Sequence, residues 1–170
     1  MSAPEPKKPQ RRYFYSGRWS KGHDHAFVTA LAWKAMEGKT MEHPFQPNKE
    51  ALEFASACVS TLYRWEFRPK TYAWHLDLLR KRYITFKAIV ENPTFEWDAE
   101  NNIVNGTREA WEALIRENPF GDAYVRRGDP EWENLKLIFR DVEGRPVFNG
   151  GEGPNVQLVV PEESYRVSDE

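Results

Sequence analysis

The 170-residue chain has one cysteine, Cys58, so it can form neither an internal disulfide nor a Cys-rich zinc module. No apolar run approaches the roughly 18 residues that a membrane helix requires, and no membrane partner is expected. Residues 1–12 hold charges and prolines but no apolar stretch, so they do not read as a secretory signal. A Gly-rich phosphate loop, a nucleophile elbow and a zincin motif are all missing. The expectation from these absences is a soluble intracellular protein.

What the chain has in quantity is aromatic side chains, 14% of residues with seven Trp, and charge that is segregated. Residues 1–90 carry 16 basic and 8 acidic side chains, whereas residues 91–170 carry 8 basic and 18 acidic ones. The net charge of −2 conceals that polarity. A basic first half suits an anionic partner, and an acidic second half suits a basic one.

Three prolines and four basic residues within 1–12 leave nothing to bury, so residues 1–15 are expected to be a disordered basic arm. Gly144, Pro146, Gly150, Gly151, Gly153 and Pro154 fall within eleven residues, and residues 141–170 are expected to be a mostly disordered acidic tail. Between them, residues 16–140 show helical periodicity. Residues 22–36 place Ala26, Phe27, Ala30, Leu31, Trp33 and Lys34 on a half-apolar face that ends at Gly38. Asn48 caps a second segment with Leu52, Ala55, Cys58, Val59 and Leu62 at helical steps. From Pro69 to Val90, Tyr72, Leu76, Leu79, Tyr83, Phe86 and Val90 alternate steps of four and three, which predicts the strongest helix. Residues 94–106 read as a turn-rich link or short hairpin. Thr107 then caps a helix with Trp111, Leu114 and Ile115, and Asp129-Pro130 opens one with Trp132, Leu135, Ile138 and Phe139.

This order of features resembles the plant Myb/SANT-like DNA-binding domain, which also occurs in proteins derived from Harbinger-type transposons. The likeness rests on Trp19-Ser20 opening the first helix, then Phe95-Glu96-Trp97-Asp98, Glu109-Ala110-Trp111 and a closing Leu137-Ile138-Phe139. It spans residues 18–139. Thr94 stands where the family usually has Gly, and Trp74-His75 stand where it often has Asn-Arg. The resemblance implies an all-α fold: a three-helix bundle of helix-turn-helix type, extended by two short C-terminal helices. It also implies a nuclear protein that binds double-stranded DNA, in transcription or as the DNA-reading subunit of a transposase-like complex.

The third predicted helix is then the recognition element, with Lys70, Thr71, Trp74, His75, Leu78, Arg82 and Lys87 toward solvent or DNA and Arg80 and Lys81 beside them. Residues 64–90 hold seven basic and two acidic side chains. Arg11 and Arg12, with Lys7 and Lys8, are candidates for nuclear import or for gripping phosphates. The alternative is a protein-interaction module that keeps the fold without DNA readout, meeting a partner through its acidic half or through Trp74. The other six Trp are expected in the core. His23 and His25 cannot point one way from a single helix, and Cys58 sits on an apolar face. No enzyme activity, metal or cofactor is expected.

Overall fold

The computed structural model describes residues 3–38 and 47–139. The expected acidic tail lies outside those residues. Along the chain run α1 (Gln10–Phe14), α2 (Lys21–Gly38), α3 (Lys49–Tyr63), α4 (Pro69–Glu91), β1 (Phe95–Asp98), β2 (Ile103–Gly106), α5 (Arg108–Glu117), a 3-10 helix (Pro119–Tyr124) and α6 (Trp132–Phe139). The five helices expected from periodicity are all present, and the 94–106 link is a hairpin. Periodicity does not announce α1 or the 3-10 helix, and the hairpin makes the fold mostly helical rather than all-α.

Local chemistry sets the boundaries. The Ser20 hydroxyl accepts the His23 amide at the start of α2, and the Asn48 side chain accepts the Ala51 amide at the start of α3. Arg64, left-handed at φ 52°, ends α3, and Pro69 opens α4 within five residues. Asn92-Pro93 stops α4, after which β1 and β2 pair antiparallel with Phe95 opposite Gly106. A Cβ on Gly106 would lie 2.7 Å from the Phe95 ring and 3.1 Å from Trp111 Nε1, so the hairpin closes onto α5 only with glycine there.

The core forms around α4. α2 packs on α3 and α6, while α4 packs on α3, α6, β1 and the 3-10 helix. Tyr72, Leu76, Leu79, Tyr83 and Phe86 are buried as expected. A second stripe, His75, Leu79, Arg82, Phe86 and Ile89, is buried beside it, because α4 has neighbours on both flanks. Trp19, Trp111 and Trp132 belong to the core, and Trp65 and Trp97 are half-buried. Trp33 is a correction: it is 64% exposed on the outer side of α2, where Val28, Ala32 and Ala35 point inward instead. Leu62 is likewise exposed, and Cys58 is half-buried.

The centre of the core is ionic. The Arg82 guanidinium donates to Asp24 at 2.8 Å and to both carboxylate oxygens of Asp129 at 2.9 and 2.8 Å. Trp19 Nε1 donates to Asp24, and the Tyr124 hydroxyl donates to Asp129 at 2.6 Å. All three charged groups are essentially sealed from solvent. Burial works against the guanidinium charge, yet Asp129 and Asp24 together hold its pKa well above the ordinary value. The cluster ties α2, α4 and the entrance to α6 at one point. Removing one member would strand the charges of the others.

The basic arm is also a correction, since its described residues are packed rather than disordered. Lys7 and Lys8 donate their backbone amides to the Asp122 carboxylate, which also accepts the Tyr13 hydroxyl. Gln10 Nε2 donates to the Ala123 and Gly128 carbonyls, each at 3.0 Å. Phe14 is buried against Phe120 and Tyr124, with the Arg82 guanidinium 4.1 Å from its ring centre. The arm and the 3-10 helix therefore hold each other in place from opposite ends of the sequence.

Candidate nucleic-acid interface

The turn between α3 and α4 is built on aromatic rings. Phe67 is buried against Trp19 and Tyr72, and the His75 imidazole stacks on the Trp19 indole with ring centres 3.8 Å apart. The His23 ring lies 4.1 Å from that of Tyr63, and the Arg18 guanidinium lies 3.5 Å over the Trp65 ring. These contacts bring the start of α2 against the α3–α4 turn. Because the rings turn inward, the cations between them turn outward. Arg18, Arg64, Arg68 and Lys70 are all exposed at this end of the molecule, while Lys21 lines a cavity with His25, Glu131 and Glu133. Within residues 16–23 and 61–71 the only carboxylate is Glu66.

The outer face of α4 continues from that cluster. Lys70, Ala73, Trp74, Asp77, Arg80, Lys81, Ile84, Lys87, Ala88, Val90 and Glu91 are the helix residues from 70 onward that keep solvent access, and they recur at helical steps. Lys70 and Lys81 are eleven residues apart, which puts them within about 20° of one another and roughly 17 Å apart along the axis. Arg80 pairs with Asp77 at 3.0 Å, and Lys87 pairs with Glu91 at 2.6 Å, so those two cations are partly neutralised within the helix. The Lys81 ammonium lies 4.8 Å over the Phe120 ring, where burial lowers its pKa. Trp74 is half-buried on this face.

Three expected contact residues are placed elsewhere. Thr71, His75 and Arg82 are buried and cannot reach a ligand from the folded state, and Leu78 is buried with them. His75 is held neutral, since burial and the nearby Arg82 push its imidazole well below the ordinary range. Arg82 is taken up by Asp24 and Asp129. Arg11 and Arg12 are exposed on α1, away from the α3–α4 turn but attached to the 3-10 helix that also carries Phe120 under Lys81. Arg18, Arg64 and Arg68 join the surface although helical periodicity does not point to them. For Arg64 and Arg68 the signal in the sequence is the basic spacing of Arg64-Trp65-Glu66-Phe67-Arg68-Pro69-Lys70 at a helix start, and Arg18 and Lys21 lie outside that run.

Neither histidine of α2 is placed for a metal. His23 Nδ1 lies 2.7 Å from the Ser20 hydroxyl, and His25 Nδ1 lies 2.9 Å from both oxygens of Glu131. Among the described residues, no group of three or more His, Cys, Asp or Glu could hold a metal ion, and no helix is long and apolar enough to cross a membrane.

A family model for the Myb/SANT-like DNA-binding domain matches residues 18–114. The chain belongs to that family. The matched span runs from Arg18 through α2, α3, α4 and the hairpin into α5, so it contains the cationic turn and the outer face of α4. The arm, the 3-10 helix and α6 lie outside it. Among curated relatives is the Arabidopsis thaliana "L10-interacting MYB domain-containing protein", 25% identical over 126 residues. That alignment covers 74% of this chain and 28% of the relative, so the chain corresponds to little more than a quarter of that protein. No solved structure matches.

Proposed function

We propose that this Myb/SANT-like chain binds duplex DNA in the nucleus, in transcription or as the DNA-reading subunit of a transposase-like complex. The outer face of α4 enters the major groove while Arg18, Arg64, Arg68 and Lys70 hold phosphates at its N-terminal end. The observation that carries this reading is the gathering of those four exposed cations around one helix start, with Arg18 over the Trp65 ring and Glu66 as the only carboxylate in residues 61–71. Membership of a DNA-binding family supports it. The protein acts by binding and performs no catalysis of its own.

A protein-interaction role draws on a separate observation. Trp33 and Met36 sit one turn apart on α2, 64% and 63% exposed, and the Arabidopsis relative is named for an interaction. A partner protein would meet that apolar pair or the acidic second half.

The test is equilibrium binding to a random-sequence duplex pool across a salt series, followed by sequencing of the bound fraction. Affinity should fall linearly on log–log axes, with a slope of about −0.9 for each phosphate neutralised. If no duplex is held with salt-sensitive affinity near physiological ionic strength, the DNA proposal fails and the interaction role stands in its place.

A further inference from the structure

Residues 3–14 carry Lys7, Lys8, Arg11 and Arg12, all exposed, against a single acid, Glu5, which is paired with Arg126 at 3.2 Å. None of the four cations forms an ion pair with a described residue. A basic segment of this composition, left free, would be a mobile tail. Here it is fixed at several points: Ala3 by Arg126, Lys7 and Lys8 by Asp122, Gln10 by the Ala123 and Gly128 carbonyls, and Tyr13 by Asp122 again. The Tyr13 and Phe14 rings then lie against Phe120, whose ring also carries Lys81 of α4. The arm is thus joined to the outer face of α4 some three turns beyond Lys70.

We propose that this docked arm is a second phosphate-binding ridge for the duplex, formed by Lys7, Lys8, Arg11, Arg12 and Lys81, and that Asp122 is its positioning residue. The inference rests on the DNA reading above. Asp122 is itself acidic, 2% exposed, and turns its carboxylate to two backbone amides and a phenol rather than to a cationic side chain. It adds a negative charge beneath a positive surface, yet it orders the arm when the protein folds, so that no ordering entropy is lost at the moment of binding. Phosphate contacts carry no base information, so the ridge strengthens binding to every sequence alike.

The experiment compares the 170-residue wild-type chain with three variants on one random-sequence duplex over a salt series. With Lys7, Lys8, Arg11 and Arg12 all replaced by Gln, the log–log slope should shrink by about 0.9 for each phosphate that the variant no longer neutralises. Asp122→Asn, which makes the protein more positive, should nevertheless weaken binding by roughly tenfold, as preorganisation is lost. Tyr13→Phe keeps the half-buried ring and every charge, and should weaken binding in the same direction by less. Melting curves establish that each variant is folded, and Tyr13→Phe carries the test if Asp122→Asn is not. If the arm variant keeps the wild-type slope, the ridge is overturned while DNA binding through α4 stands. If Asp122→Asn and Tyr13→Phe bind as tightly as wild type or tighter, the positioning role is overturned. If wild type itself shows no salt-sensitive binding, the DNA reading fails first.

Discussion

Lys81 and Arg82 are consecutive cations on α4, and the turn of about 100° between them separates two physical roles. Lys81 keeps solvent access over the Phe120 ring. Arg82 is sealed between Asp24 and Asp129, out of reach of any ligand. The same contrast holds for the two sides of the aromatic cluster, where His75 is buried on Trp19 and Arg18 lies on the outside of Trp65. Counting positive charge along a helix therefore overstates its capacity for DNA. The inner cation is taken up by buried carboxylates, and Lys81 and Arg18 keep solvent access.

The largest expected effect comes from breaking the inner half. Arg82→Ala leaves two buried carboxylates without their cation and should cost about 3–5 kcal/mol in denaturant unfolding. Trp111→Ala, an apolar benchmark against the Phe95 ring, should cost roughly the same, about 3–5 kcal/mol. If Arg82→Ala melted like wild type, the ionic core would not be what joins α2, α4 and α6. Deleting residues 3–14 removes buried Phe14 and strands Asp122, and should cost about 3 kcal/mol rather than the near-zero expected of a loose tail. A chemical melt of the truncated chain decides it.

A smaller effect is titratable. The buried His75 imidazole is depressed in the folded state, chiefly by burial and further by Arg82 and His23. Only the unfolded chain takes up that proton as the solution is acidified. Stability is therefore full above the unfolded pKa of about 6.5 and declines below it, by at most about 1.4 kcal/mol per pH unit. His75→Phe, which keeps a ring on Trp19, should flatten the decline measured from about pH 7.5 to 5. The smallest effect on folding belongs to the outer cations: replacing Arg18, Lys21, Arg64, Arg68 or Lys70 singly should move stability by no more than about 0.5 kcal/mol.

Most of the helical frame is legible in the sequence because it is written in local periodicity. The caps at Asn48 and Thr107 and the stops at Gly38 and Asn92-Pro93 all lie where the sequence indicates. α1 and the 3-10 helix are not legible, since they depend on partners 109–118 residues away rather than on neighbours. The candidate site is legible only in part. Lys70, Arg80, Lys81 and Lys87 follow from one apolar stripe on α4, but the second stripe hides polar residues. His75, Leu79, Arg82 and Phe86 share its spacing, and two of the four are polar, so it does not read as buried. Trp33 misleads in the opposite sense: an aromatic residue at helical spacing faces solvent because α2 presents Val28, Ala32 and Ala35 to its neighbours.

The most direct measurement replaces Arg18, Arg64, Arg68 and Lys70 together by Gln and compares the salt dependence of duplex binding with that of wild type, with Arg82 untouched in both. The folded state should be retained, while the log–log slope should flatten by about 0.9 for every phosphate these residues neutralise. A four-residue variant that stays folded and binds duplex with the wild-type slope would contradict the assignment of the α3–α4 turn as the DNA-gripping surface.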